Sequence, residues 1–290
     1  MAMLPTPDTS HVSYSQVYEP AEDSFLLLDT LSSESETAFL RARFSHSQHP
    51  QPISLSSQAP TPPSSTATTN PNPSLPPTSP PPPLILEVGP GSGVVLAFLT
   101  AHAKTLFGTT DLLSAGVDVN RFACAATAAT VGKAVASASP PAGAGAGLFL
   151  DAVRGDLASP LRLGQVDVLV FNPPYVPTPE LPPLPPWNSI GGVAKGSAPA
   201  FEESHLLELS YAGGKDGMET TDRLVDSLPW VLSARGCAYV LLCAQNRPEE
   251  VKRRIREFGP GWRVETVGTS GKKAGWEKLQ IIRIWREMSD

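Results

Sequence analysis

The sequence predicts an α/β protein built on a mostly parallel sheet with helices on both faces, and three observations carry that expectation. Short apolar runs recur along the chain, each ending in glycine, asparagine or aspartate, with helix-like stretches between them. One run, Leu84-Ile85-Leu86-Glu87-Val88, leads through Gly89-Pro90-Gly91-Ser92-Gly93 into a second apolar stretch. Another, Val166-Asp167-Val168-Leu169-Val170-Phe171, stops at Asn172-Pro173-Pro174-Tyr175, where two prolines forbid continuation as strand or helix. Runs this apolar suit strands buried on both faces, and a rigid turn at the carboxyl end of such a strand lies where open α/β sheets bind ligands.

Taken in order, Glu19-Pro20-Ala21-Glu22-Asp23-Ser24 predicts a helix start with proline in the first turn and acids at the positive end of the dipole. Phe25, Leu28 and Leu31 then share a face, and Glu22 and Asp23 read as capping residues. Residues 1–44 are expected to form an N-terminal segment and helix of the catalytic unit. Between Pro50 and Pro83 fall 13 of the 32 prolines, and no Asp, Glu, Lys or Arg occurs from Phe44 to Leu86. That composition cannot bury enough apolar surface to offset its ordering entropy, so residues 45–83 are expected to be a disordered insertion and 84–290 one α/β domain.

After the glycine turn a helix is expected through about Phe107. Ala115 to Asp118 is a short strand, with Asn120 capping an Ala-rich helix. An Ala/Gly loop from Ala138 to Gly147 precedes a third strand, Leu148 to Val153, which delivers Gly155-Asp156-Leu157. Pro177 to Pro199 is a Pro- and Gly-rich loop containing Trp187, expected to overhang the site. Tyr211-Ala212-Gly213-Gly214-Lys215-Asp216-Gly217 reads equally as a helix start or a substrate contact. A helix from about Thr220 to Leu232, a strand from Gly236 to Ala244, a helix from Pro248 to Phe258 and two final strands complete the chain. Val251, Ile255 and Phe258 fall at helical spacing, which turns Lys252, Arg253, Arg254 and Arg256 outward.

The chemistry is read from the strand ends. Asn172 offers an amide oxygen beside the fixed Pro173 carbonyl, two acceptors that suit one planar amino group. Accepting both hydrogens while that nitrogen pyramidalises favours the transition state, and Tyr175 can pack its ring on the flat face. A dinucleotide fingerprint requires G-x-G-x-x-G, but its third glycine is here replaced by Val94. The spacing of Gly89, Gly91 and Gly93, with Glu87 two residues ahead, instead resembles the class I S-adenosylmethionine-dependent methyltransferases. Asp118, in phase with that motif, is placed to accept ribose hydroxyls, and Asp156 with Leu157 to hold an adenine.

Composition excludes several other classes. The net charge of −6 argues against a dedicated nucleic-acid binder, and Cys124, Cys237 and Cys243 have no C-x-x-C spacing. None of the five histidines stands at ligand spacing, so no metal is expected, and no run is long enough to span a membrane. The N-terminus lacks a secretory pattern, and a reducing compartment, cytosol or nucleus, is expected.

Together, Val17-Tyr18-Glu19-Pro20-Ala21-Glu22-Asp23-Ser24, Leu86 to Gly93, Asp118, Asp156-Leu157, Phe171 to Val176 and Tyr211 to Gly217 resemble the eukaryotic and archaeal branch of the HemK/PrmC release-factor glutamine methyltransferases. The resemblance implies a seven-stranded sheet with the last strand antiparallel. It also implies S-adenosylmethionine as cofactor and N5-methylation of the Gly-Gly-Gln glutamine of the class I translation termination factor. Carried over by position, Ser24, Glu87, Gly89, Gly91, Asp118, Asp156 and Leu157 would contact the cofactor, with Asn172 holding the amide next to the methyl group. A small zinc-binding activator subunit is implied as partner, placed here along the Leu148–Val153 strand. The alternatives are a DNA or RNA amino-methyltransferase, a histone-tail methyltransferase and a non-catalytic cofactor-fold module.

Overall fold

The computed structural model describes residues 4–44, 81–138, 145–184, 199–271 and 278–287. Nearly all of the Pro-rich tract, most of the Ala/Gly loop and the part of the long loop holding Trp187 lie outside these residues. The chain forms α1 (Glu22–Leu31), α2 (Glu34–Phe44), β1 (Leu84–Val88), α3 (Val94–Ala101), α4 (Ala103–Phe107), β2 (Leu113–Asp118), α5 (Arg121–Ala138) and β3 (Leu148–Arg154). There follow β4 (Val166–Phe171), α6 (Pro199–Glu208), α7 (Glu219–Val231), β5 (Leu232–Cys243), α8 (Pro248–Arg256), β6 (Trp262–Thr269) and β7 (Leu279–Arg286). Among these elements no helix is long and apolar enough to cross a membrane.

The strands make one seven-stranded sheet in the order β3-β2-β1-β4-β5-β7-β6, parallel from β3 to β5, with β7 antiparallel to both its neighbours. Strand alternation divides the core into two layers. Ile85, Val168, Val170 and Tyr239 pack with α1 to α5 on one face, while Leu86, Leu169, Val240 and Ile282 pack with α7 and α8 on the other. That double covering is why these strands read as continuous apolar runs.

Four expectations are corrected. Helix α1 begins at Glu22, so Pro20 lies before it and not in its first turn. Its inward face is Leu27, Leu28 and Leu31, while Phe25 is exposed. Residues three apart drift by 60° round a helix, so Phe25 and Leu31 stand 120° apart and cannot both face one core. The helix after the glycine turn is two helices, broken at His102. The basic residues of α8 are not all solvated: Lys252 is buried and donates to Thr266 Oγ1 at 3.0 Å, and Arg254 pairs with Asp222 and Asp226 of α7.

The sequence reading also passed over α2, whose Glu36 is buried against the sheet. Its carboxylate accepts from both the Arg283 guanidinium and the Tyr239 hydroxyl, each at 2.8 Å. Arg283 lies over the Phe39 ring at 3.9 Å and reaches Glu265 at 3.0 Å. Burial pushes the Tyr239 hydroxyl well above its usual range, so it remains a donor.

Candidate active site

All ten residues singled out in the sequence, Ser24, Glu87, Gly89, Gly91, Asp118, Asp156, Leu157, Asn172, Pro173 and Tyr175, line one cleft of about 400 Å³ at the carboxyl ends of the parallel strands. The cleft exists because β1, β2 and β4 end level with one another and their following turns lead away from the sheet. At Gly89 and Gly91 the backbone φ is +63° and +56°, and a Cβ built on either meets nothing within 4 Å. Glycine is therefore needed here for its conformation, and it leaves the backbone bare toward the open cleft.

Behind this turn sit two carboxylates. Asp118 ends β2 and accepts from the amides of Asn120 at 2.8 Å and Gly91 at 3.2 Å, which ties the glycine turn to the second strand. Burial pushes its carboxyl up to about 6. Glu87, at the foot of the same turn, accepts from the Leu96 amide near the α3 N-terminus, yet burial and the neighbouring Asp118 push it to about 8. Its Oε2 is buried with no hydrogen-bond partner among the described residues. Asn120 caps α5 as expected, accepting from the Phe122 amide at 2.9 Å, and donates to the Gln16 carbonyl at 2.7 Å. That second bond seats the N-terminal segment beside the cleft.

On the β3 side, Gly155-Asp156-Leu157 turns with Leu157 at φ +52°, a left-handed conformation that costs a leucine about 1–2 kcal/mol. Asp156 is not a free acceptor: one carboxylate oxygen pairs with Arg223 of α7 at 2.5 Å. On the β4 side, Asn172 has its Oδ1 buried with no hydrogen-bond partner among the described residues. Leu181, Pro182 and Leu184 from the loop after β4 line the outer part of the cleft, together with Leu206, Leu209 and Tyr211.

Asp23, expected to cap α1, is instead buried at the cleft, accepting from the Ser24 amide and hydroxyl at 2.6 and 3.2 Å and from Tyr18 at 3.1 Å. Arg223 and Thr220 of α7 also line the cleft, and no local signal marked either. The Tyr211–Gly217 turn proves to be a brace. Val176 forms a parallel bridge with Ala212, Gly213 donates to the Val176 carbonyl at 2.8 Å, and Thr178 donates to the Gly214 carbonyl at 3.0 Å. A Cβ on Gly213 would lie 2.5 Å from the Pro174 carbonyl, so glycine here allows two backbones to touch.

A sheet of this order and polarity, with a glycine turn after its first strand and an acid ending its second, defines a class I S-adenosylmethionine-dependent methyltransferase fold. Within that class the chain belongs to the HEMK2 methyltransferase family. It is 30% identical over 282 residues to methyltransferase HEMK2 of Homo sapiens, covering 96% of this chain and 95% of that protein. It is 28% identical over 288 residues to the eRF1 methyltransferase catalytic subunit mtq2 of Schizosaccharomyces pombe, covering 98% and 96%. A solved structure of the E. cuniculi Mtq2-Trm112 complex aligns with a TM-score of 0.48 and 22% identity over 94% of this chain and 99% of that one. No family model matches the chain.

Proposed function

We propose that this chain transfers the methyl group of S-adenosylmethionine to the side-chain nitrogen of the Gly-Gly-Gln glutamine in a class I translation termination factor. The observation that carries the reading is Asn172 Oδ1, a buried acceptor in the cleft wall that no group among the described residues satisfies. Buried acceptors are normally paired, so an unpaired one lining a cleft points to a ligand donor.

The residues present fit the cofactor. The bare glycine turn admits its close approach, and Glu87 Oε2, unpartnered among the described residues, is left to bond a ligand. Among the described residues, Asp23, Asp118, Asp156 and Arg223 line the cleft, an acidic balance that suits a cation, while burial keeps Glu87 largely protonated near neutral pH. When bound, the cofactor supplies an electrophilic methyl on a positively charged sulfur. Asp118 would accept the ribose hydroxyls, Asp156 and the Leu157 amide would hold the adenine, and Ser24 would close the methionine side. Asn172 Oδ1 and the Pro173 carbonyl would accept the two amide hydrogens, with the Tyr175 ring against the flat face. No general base is required: once nitrogen bonds the methyl, its proton becomes acidic and passes to solvent. Orientation and electrostatics therefore supply the acceleration.

The outer half of the cleft favours a peptide over a polynucleotide. Leu181, Pro182, Leu184, Leu206, Leu209 and Tyr211 carry no charge, whereas phosphodiester binding requires cations along the track. Methyl transfer from labelled cofactor to purified termination factor, against oligonucleotide and histone controls, tests the reading. Label on an oligonucleotide and none on the factor would overturn it.

Asp118→Ala is expected to weaken cofactor binding by about 1.5–3 kcal/mol, the range of a hydrogen bond to a charged group. The pH dependence follows from the same carboxyl. Because burial raises it to about 6, it is neutral below that pH and ionised above. Affinity in the wild type should therefore fall as pH drops through about 6, and the variant should lose this dependence. Calorimetry at pH 5 and 7.5 distinguishes the two.

We further infer that the free edge of β3 receives the activator subunit. Leu148, Leu150 and Val153 are exposed there, and a bulge between Ser114 and Ala115 of β2 leaves Leu150 unpaired in the ladder. An apolar strand with one unpaired edge is a template for strand addition, and the S. pombe relative is named as a catalytic subunit. Leu150→Lys and Ala152→Pro are each expected to abolish co-purification with the activator. Retention by both would place the partner elsewhere.

A further inference from the structure

We infer that Asn246, outside the cleft, is the positioning residue that fixes the Asn-Pro-Pro-Tyr turn for methyl transfer; the inference rests on the proposed reaction. Asn246 ends the 3-10 turn after β5 and is only 2% exposed. Its Oδ1 accepts from the Cys243 amide at 2.8 Å, which holds the side chain against the end of the strand. Its Nδ2 then faces three backbone carbonyls: Tyr175 at 3.2 Å, Asp216 at 3.1 Å and Gly217 at 3.3 Å. One amide group thus joins the end of β5, the turn after β4 and the glycine brace.

Each partner depends on this junction. A Cβ on Gly217 would lie 2.1 Å from the Tyr175 carbonyl and 2.9 Å from Asn246 Nδ2, so the three segments meet without spare room. Asp216 and Arg247, which flank the junction, both adopt left-handed backbone, with φ of 57° and 48°. Non-glycine residues persist in that conformation only where the surroundings hold them, and their side chains pair at 2.5 Å. Pro173 and Pro174 stiffen the turn along the chain but cannot fix its tilt against the sheet. Among the described contacts, the Asn246 amide is the side-chain group that anchors the Tyr175 peptide from behind. Loss of its two N–H groups would leave three carbonyls without this shared donor, and the Asn172 and Pro173 acceptors would lose their aim.

The test separates positioning from stability. In Asn246→Ala, cofactor affinity should stay within about twofold of wild type, because the glycine turn, Asp118 and Leu157 are untouched. Turnover per bound cofactor should fall roughly 10- to 100-fold, the scale of a misplacement of about 1 Å. Asn246→Ser, which keeps one short donor, should fall between the two. Counting active sites by bound cofactor removes any loss from unfolded protein. Ile284→Ala in β7, a buried position paired with Ala238 far from the cleft, serves as the merely destabilised control and should keep wild-type turnover per site. Backbone hydrogen exchange at residues 172–178 should quicken in Asn246→Ala and not in Ile284→Ala. Unchanged turnover per site in Asn246→Ala, or in Asn246→Ser should alanine fail to fold, would overturn the inference. If the wild type transfers no methyl to the termination factor, the functional reading falls, and unchanged exchange at 172–178 then removes the positioning role as well.

Discussion

Asn172→Ala is expected to bind S-adenosylmethionine normally and to lose roughly 10²-fold or more in turnover, the scale of removing one transition-state hydrogen-bonding group. The amide nitrogen of glutamine is a poor nucleophile because its lone pair is delocalised into the carbonyl. As the nitrogen pyramidalises, its hydrogens become more acidic and their bonds to fixed acceptors strengthen, so those acceptors favour the transition state over the ground state. Asn172 Oδ1 is already desolvated and, among the described residues, unpartnered. Alanine keeps the turn, since Pro173, Pro174 and the glycine brace are unchanged. Equilibrium binding and single-turnover transfer should therefore separate: Kd unaltered, rate reduced. Near-normal turnover would remove Asn172 from the mechanism.

The second large effect is on stability. Glu36→Ala is expected to cost about 3–5 kcal/mol, the range for breaking a buried pair by removing one partner. The guanidinium of Arg283 would stay desolvated between Phe39 and Trp285, with only the mostly exposed Glu265 to oppose its charge. Tyr239, fully buried, would lose the acceptor of its hydroxyl. For a domain of this size each kcal/mol moves the melting temperature by about 2–4 °C, so a fall of roughly 10 °C is expected by calorimetry. Replacing Glu36, Arg283 and Tyr239 together by apolar residues of similar volume should recover part of it. A single-variant loss below about 1 kcal/mol would mean that water reaches the pair.

What was legible in the sequence was what proline, glycine and strand-end acids mark locally. The turns at Gly89–Gly93 and Asn172–Tyr175 announce themselves because few residue types can occupy them, and the acid Asp118 falls in phase behind the first. The sheet was legible because strands covered on both faces show as apolar runs. Asp23, Arg223, Glu36 and Asn246 were not, since each is an ordinary polar residue on a helix or turn. Among the described residues, Asp23 is bonded only locally, to Tyr18 and Ser24, and its place at the cleft comes from the fold. The other three take their roles from distant partners, Arg223 from Asp156, Glu36 from Arg283, Asn246 from Tyr175 and Gly217. The Tyr211–Gly217 turn leads into α7 and also braces the backbone of another turn, while Tyr211 and Ala212 line the cleft. Its meaning lay in the 2.5 Å that would separate a Gly213 Cβ from the Pro174 carbonyl.

The placement of β7 sets an order on folding. It is the last strand in sequence yet lies inside the sheet between β5 and β6, and its Arg283 meets Glu36 across 247 residues of chain. Until β7 docks, β5 keeps a bare hydrogen-bonding edge on the side away from β4. Buried Glu36 of α2 gains its counter-charge, Arg283, only when that late strand docks. A nascent chain is therefore held open at its centre until nearly all of it has been made, and contacts so distant in sequence make for slow closure. Until then the β5 edge is open to pairing with the wrong strand.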